Sequence, residues 1–340
     1  MRGWLGGRAG RDVLQDAVQA VVLVVLTALA AASAAAQQVS LVFAGDTTLD
    51  GDAGALIARG GDPLAPFAAL FAGADLRIAN LECVVATVGQ PSGKIYTFRA
   101  HPRVLPVLRR HLDGVTLANN HSGDYGRAAF AQMLGLLREQ GLGQAGGGMN
   151  LAQAHTPWIV ERQGLRIAIL SYNEFMPRSF EADHDAPGIA WSEDEQVLAD
   201  IRAARAVHHA DLVIPFMHWG WENERSANAR QRQLARAMIE AGADAVIGGH
   251  PHVTQDIETH LGKPIVYSVG NFVMKDTDNA WQRQGWLLRM VFDRQGAQSL
   301  QTHPIALDMR GLPRPAPEQP SPCWQRGQAQ TQTCPAGASR

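Results

Sequence analysis

Leu212-Val213-Ile214-Pro215-Phe216-Met217 is an unbroken apolar run that ends abruptly in His218-Trp219-Gly220-Trp221-Glu222. Six apolar residues without polar alternation suit a strand covered on both faces, as in the sheet of an α/β protein. In such sheets ligands bind outside the carboxyl ends of the strands. An imidazole and a carboxylate placed there therefore suggest a site. The same design recurs along the chain. VSLVFA (39–44) is followed by Gly45-Asp46, LRIA (76–79) by Asn80-Leu81-Glu82, and VTLA (115–118) by Asn119-Asn120-His121. AVIG precedes Gly249-His250-Pro251-His252, and PIVYSV precedes Gly270-Asn271-Phe272.

These runs, with 167–171, 245–247 and 265–269, read as buried strands. Helical patterns lie between them at 102–110, 127–140, 193–208 and 230–240, with Pro102 in a first turn and Gly141 and Gly242 at carboxyl ends. Gln163-Gly164 suits a hairpin turn, so the sheet is mixed. The last strands, around 286–292, have no helices between them. The reading is one α/β domain, layered helix–sheet–helix or with two packed sheets, and without internal repeats.

Composition sets outer limits. The 340 residues carry a formal net charge of −2, which excludes a broadly basic nucleic-acid-binding protein. Hydrophobic residues make up 46% of the chain and charged residues 18%, so it has ample material for a core. Only Lys94, Lys263 and Lys275 among the 30 basic residues are lysines, a bias that GC-rich codon usage explains. Three cysteines are too few for a disulfide framework.

The ends differ from the middle. Arg2, Arg8 and Arg11 precede an apolar run over 17–32, and Ala34-Ala35-Ala36 offers small residues for cleavage before Gln37. Residues 1–36 thus read as a signal peptide or an uncleaved N-terminal membrane anchor, placing the domain at 37–310 outside the cytoplasmic membrane. Residues 311–340 are rich in Pro, Gln, Gly and Ser and read as a disordered tail. Cys323 and Cys334 either pair there in an oxidising compartment or stay as free thiols. Cys83, beside Glu82, reads as a small buried residue.

Asp46, Glu82, Asn120, His218, His250 and His252 offer carboxylate, amide and imidazole donors without thiolate. That set favours Zn, Mn or Fe. Each piece alone has an ordinary reading, since Gly-Asp and Asn-Asn are common turn residues and a lone strand-end histidine is usually a satisfied core residue. Their conjunction at strand ends is what points to metal, because apolar surroundings tolerate such groups poorly unless something pairs them. Six donors exceed what one catalytic ion needs, so two ions bridged by Glu82 fit better. The chemistry implied is hydrolysis of an ester or amide.

Taken in order, Gly45-Asp46, Asn80-Leu81-Glu82, Ala118-Asn119-Asn120-His121 with Asp124-Tyr125-Gly126, His218-Trp219-Gly220, Gly248-Gly249-His250-Pro251-His252 and Tyr267-Ser268-Val269-Gly270-Asn271-Phe272 resemble the CapA family. These are poly-γ-glutamate capsule biosynthesis proteins within the calcineurin-like metallophosphatase superfamily. The resemblance implies a four-layer α/β/β/α sandwich with mixed sheets. It implies a role in making, exporting or attaching poly-γ-glutamate or a related anionic polymer beside membrane-bound capsule synthesis components.

By the same resemblance Asp46 and His252 are first-metal ligands, Glu82 is the bridge, and Asn120, His218 and His250 serve the second metal. His121 becomes the proton donor to the leaving group or steadies the transition state. Asp124, Trp219, Glu222 and Asn271 are expected to orient ligands or touch substrate. One departure weakens the first site: the superfamily's Asp-x-His is Asp46-Thr47-Thr48 here, so one or two divalent ions remain open. Two function classes follow, an exported metal-dependent hydrolase or transferase and a non-catalytic polymer-binding or assembly component. Arg99, Arg178 and Arg225 either pair with carboxylates of a polyanion or are ordinary surface arginines.

Overall fold

A computed structural model describes residues 37–275 and 277–334. The segment 1–36, read as a signal peptide or anchor, lies outside the described residues.

Val39–Thr47 is central to a ten-stranded sheet. Leu76–Leu81, Gly114–Thr116 and Gly143–Ala145 follow it in parallel to one edge. Gln284–Asp293 and Gly296–Leu307 continue antiparallel to the other side. A six-stranded sheet runs in the order Ile257–His260, Lys263–Val266, Val246–Gly249, Leu212–His218, Leu165–Asn173, Trp158–Arg162. Its inner strands are parallel and its outer ones are hairpin partners. One hairpin turns at Gln163 (φ 50°) and Gly164 (φ 70°), the positive pair that a tight two-residue turn requires.

Alternation along the strands builds the layers, because successive side chains point to opposite faces. Val39, Leu41 and Phe43 face the other sheet and pack with Ile167, Ile169, Ile214 and Phe216. Val42 and Ala44 face outward, onto a helical layer that includes Phe130, Met133 and Leu137 of helix Gly126–Glu139. On the far side, Leu170, Val213 and Met217 meet Val197 and Ile201 of helix Asp194–Ala206 and Leu234 and Met238 of helix Ala229–Ala241. The result is the α/β/β/α sandwich. Both faces of each sheet are covered, which is why the strands read as continuous apolar runs. Burying each large apolar side chain contributes roughly 1.5–3 kcal/mol, so this double-sided core dominates stability. Helix Ala229–Ala241 begins with a capping box between Asn228 and Gln231 and ends at Gly242, φ 119°.

The tail expected to be disordered is ordered over 311–334. Pro313–Pro315, Pro322–Gln325 and Gln332–Thr333 extend the first sheet. The reason is one aromatic residue that segment-wide composition conceals. Trp324 is fully buried in the core between the sheets, and its indole N–H donates to the Gln328 carbonyl at 2.9 Å. Arg326 also grips Asp293 at 2.7 and 3.0 Å. Cys323 and Cys334 form a disulfide across a sequence separation of 11, and Cys83 is buried and free. Closing a loop of that length should stabilise the fold by about 3 kcal/mol. Cys323→Ser/Cys334→Ser is therefore expected to lower the unfolding free energy by about that amount, read as a lower urea midpoint at unchanged slope, with reductant reproducing the effect on wild type. An unchanged midpoint would show that the tail is held by Trp324, Arg326 and strand pairing without help from the disulfide.

Candidate metal centre

The strand ends converge because the backbone closes tightly around them. Asp46 lies beside Asn271 of the parallel strand Asn271–Val273, and its N–H donates to the Gly270 carbonyl at 3.1 Å. A Cβ at Gly45 would stand 1.8 Å from that same oxygen, so only glycine permits the approach. His250 and His252 both hold left-handed backbone, at φ 90° and 58°. Non-glycine residues pay roughly 1–3 kcal/mol each for such strain, which persists where the surroundings impose it. Two histidines strained side by side aim both rings into one cavity.

Two groups of donors meet there. Glu82, His218 and His250 form one, and Asp46, Glu82 and His252 the other. Within each group the donor atoms lie within 4.8 Å of one another. Glu82 belongs to both, as expected of a bridge. In the first group His218 Nε2 lies 3.4 Å from Glu82 Oε1, 3.1 Å from His250 Nδ1 and 2.7 Å from Asn120 Oδ1. In the second, His252 Nδ1 is 3.3 Å from Asp46 Oδ2 and its Nε2 is 3.8 Å from Glu82 Oε1.

Both carboxylate oxygens of Glu82 and Nε2 of His250 are buried without a hydrogen-bond partner. A buried carboxylate normally accepts several hydrogen bonds, and leaving it orphaned is costly. The donor set therefore fits divalent cations. Protonation behaviour follows from the same crowding. Burial, reinforced by the Asp46 charge, pushes Glu82 well above the usual carboxylate range. Burial and the neighbouring imidazoles hold His218 and His250 well below the usual histidine value, which keeps them neutral donors. Burial also opposes charge on His252, but Glu82 and Asp46 outweigh it and raise that ring to about 10.

The two positions are unequal. The first group gains Asn120 as a fourth donor. The second has three, and the Thr48 hydroxyl nearby donates to the Glu82 carbonyl at 3.4 Å. Asn80 Nδ2 clamps the whole, reaching Asp46 Oδ1 at 2.7 Å and His218 Nδ1 at 3.2 Å. Asn271 Oδ1 faces His252 Nδ1 at 2.9 Å and so orients that ring.

His121 stands beside the centre in no donor group. Its Nδ1 pairs with buried Asp124 at 2.7 Å, and its ring centroid lies 4.4 Å from that of Phe98. Lys94 Nζ binds Asp124 Oδ1 at 2.6 Å and the Asn120 carbonyl at 2.7 Å, tying the histidine's partner to a ligand's backbone. Burial lowers the His121 value, and Asp124 opposes the shift.

The other expected residues stand outside the two donor groups. Trp219 does not reach the site: it is fully buried among the outer helices, where its N–H donates to the Tyr267 carbonyl at 2.9 Å. Its indole braces the Gly248 backbone from behind. Glu222 is exposed, although its charge is felt by Glu82. Arg99 lies over Tyr125, and Arg178 pairs with Glu181 and Glu193. Neither the Arg99 nor the Arg225 guanidinium has a carboxylate partner among the described residues; Arg99 reaches the Val88 and Gly89 carbonyls at 3.4 and 3.3 Å, and Arg225 stacks on Trp281 at 3.6 Å. Phe175 lies 3.9 Å from the His250 ring and meets exposed Trp221 edge-on.

The class these features define is an α/β/β/α sandwich with a candidate two-position metal centre at its strand ends. The chain belongs to the bacterial capsule synthesis protein PGA_cap family, whose model matches residues 40–276. It is 37% identical over 191 residues to the PGA biosynthesis protein CapA of Bacillus subtilis (strain 168), covering 55% of this chain and 49% of that protein. It is 31% identical over 205 residues to the capsule biosynthesis protein CapA of Bacillus anthracis, covering 59% and 49%. The chain thus spans about half the length of these curated relatives. Among solved structures it is similar to Haemophilus influenzae NAD nucleotidase, with 12% identity and a TM-score of 0.49 over 88% of this chain and 60% of that one.

Proposed function

We propose that this protein is an exported, metal-dependent hydrolase or transferase of capsule biosynthesis, acting on poly-γ-glutamate or a related anionic envelope polymer beside membrane-bound synthesis components. The observation that carries the reading is Glu82: a buried carboxylate common to two donor groups, with both oxygens unpartnered. A divalent ion bound there supplies a Lewis acid and makes water a better nucleophile near neutral pH.

The remaining work falls to the chain's own residues. Asp124 fixes Nδ1 of His121, which leaves Nε2 to hold or deliver a proton to a leaving group. Lys94 keeps Asp124 in place. Phe175 and Trp221 wall one side of the centre, and Arg225 on Trp281 offers a guanidinium to a carboxylate of the substrate. Export is supported by the N-terminal sequence pattern and by the Cys323–Cys334 disulfide, which suits an oxidising compartment. Thr48 favours a second reading, a non-catalytic polymer-binding or assembly component, because it leaves the Asp46 position with only three donors.

The test is metal content after dialysis, followed by a search for cleavage of poly-γ-glutamate and phosphoesters. About two ions per chain and metal-dependent cleavage are expected. A single ion would mean that Thr48 has weakened the Asp46 position. No ion after addition of Zn or Mn would overturn the enzyme and leave the assembly role.

A further inference from the structure

The sandwich has an open edge where the edge strands of its two sheets, Gly143–Ala145 and Trp158–Arg162, lie side by side. The Trp158 ring covers Gly114 and Gly143 so closely that a Cβ on either would collide with it. Beside it opens a cleft of about 550 Å³, lined by none of the metal-centre residues. Arg109, Arg138 and Arg162 line it, and Asp113 is the only carboxylate on the lining. Asp113 is already held by Arg77 at 2.8 and 3.0 Å. Arg109 and Arg138 have no hydrogen bond or carboxylate partner among the described residues.

Each of these two arginines sits in the last turn of a helix, where a basic residue complements the helix dipole. That accounts for their charge but not for Gln144, whose Oε1 is buried in the same lining without a partner. A buried carbonyl oxygen that lacks a donor costs about 1–3 kcal/mol unless something supplies one. Leu134, Leu142 and Trp158 give the cleft an apolar wall. The lining therefore asks one ligand for oxyanions, an N–H and methylene surface together.

We infer that this cleft is a second binding site, remote from the metal centre, for a polyamide that bears side-chain carboxylates. The carboxylates meet Arg109 and Arg138, an amide N–H meets Gln144 Oε1, and methylenes lie on Trp158. The choice of polymer rests on the proposed function above. The site would hold a long chain at one edge of the sandwich while another stretch of it reaches the centre.

The experiment uses the full-length protein and fluorescently labelled poly-γ-glutamate, with labelled polyacrylate as a carboxylate chain that has no N–H. Arg109→Gln/Arg138→Gln should weaken both polymers at least roughly tenfold, since each charge-assisted hydrogen bond contributes about 1.5–3 kcal/mol. Gln144→Leu should weaken poly-γ-glutamate several-fold and leave polyacrylate unchanged. Metal content should be normal in both variants, which also reports that they are folded. If the double arginine variant binds poly-γ-glutamate within twofold of wild type, the cleft is not the site. If Gln144→Leu weakens both polymers alike or neither, the amide contact is wrong. Intact cleft binding without metal-dependent cleavage would instead sink the reading of the centre and leave this one standing.

Discussion

Glu82→Gln is expected to strip the protein of metal and, at the same time, to make the metal-free fold more stable. Glu82 is fully buried, neither oxygen accepts a hydrogen bond, and Asp46 crowds it with like charge. Both donor groups depend on its anionic oxygens. A neutral amide of the same shape should lower affinity at both positions by at least about 100-fold, or roughly 2.7 kcal/mol each. Without metal the sign reverses. The wild-type fold then has either to protonate Glu82 or to hold its charge against burial and Asp46, and a neutral amide that removes this cost should return roughly 1–3 kcal/mol. The residue is thus kept for a ligand and not for the fold, the usual trade between stability and function. Elemental analysis and thermal unfolding with and without chelator read the two effects separately. A variant that keeps two ions would exclude Glu82 as the bridge. A chelated variant less stable than chelated wild type would make the carboxylate structural.

The parts of this centre that were legible in the sequence share one property: each terminates an apolar strand. Asp46, Glu82, Asn120, His218, His250 and His252 lie far apart in the chain, yet a sheet brings all its carboxyl ends to one side. Lys94 had no such marker. It sits between short strands Val84–Val85 and Arg99–Ala100, on a loop without periodicity, and only tertiary contact places its ammonium on Asp124. Its rarity as a lysine was the one available signal, and codon bias hid it. Asn80 lies inside its strand, one residue before the strand's end, so its clamp between Asp46 and His218 was not visible. Trp219 could have been placed correctly. If His218 points into the site, strand alternation sends the next side chain to the opposite face. The tail misled for a different reason, since average composition is blind to a single tryptophan seated in a core.

His121→Ala is expected to leave both metal positions filled and to cut turnover, on whichever polymer or phosphoester the wild type accepts, by roughly 10²–10⁴-fold. His121 is absent from both donor groups, whereas its neighbour Asn120 faces His218. Truncating the ring removes the 2.7 Å contact with Asp124 but not the Lys94 bonds to Asp124 and the Asn120 carbonyl, so the ligand loop keeps its brace. The stability loss should therefore be small beside the loss of rate. Free imidazole added to the variant should restore part of the rate, because the ring's bed against Phe98 and Asp124 survives. Loss of metal in His121→Ala would make the histidine a structural prop of Asn120. Full turnover without it would assign the proton transfer elsewhere. Full metal with neither turnover nor imidazole rescue, in a wild type that is also inert, would favour the assembly component that Thr48 already suggests.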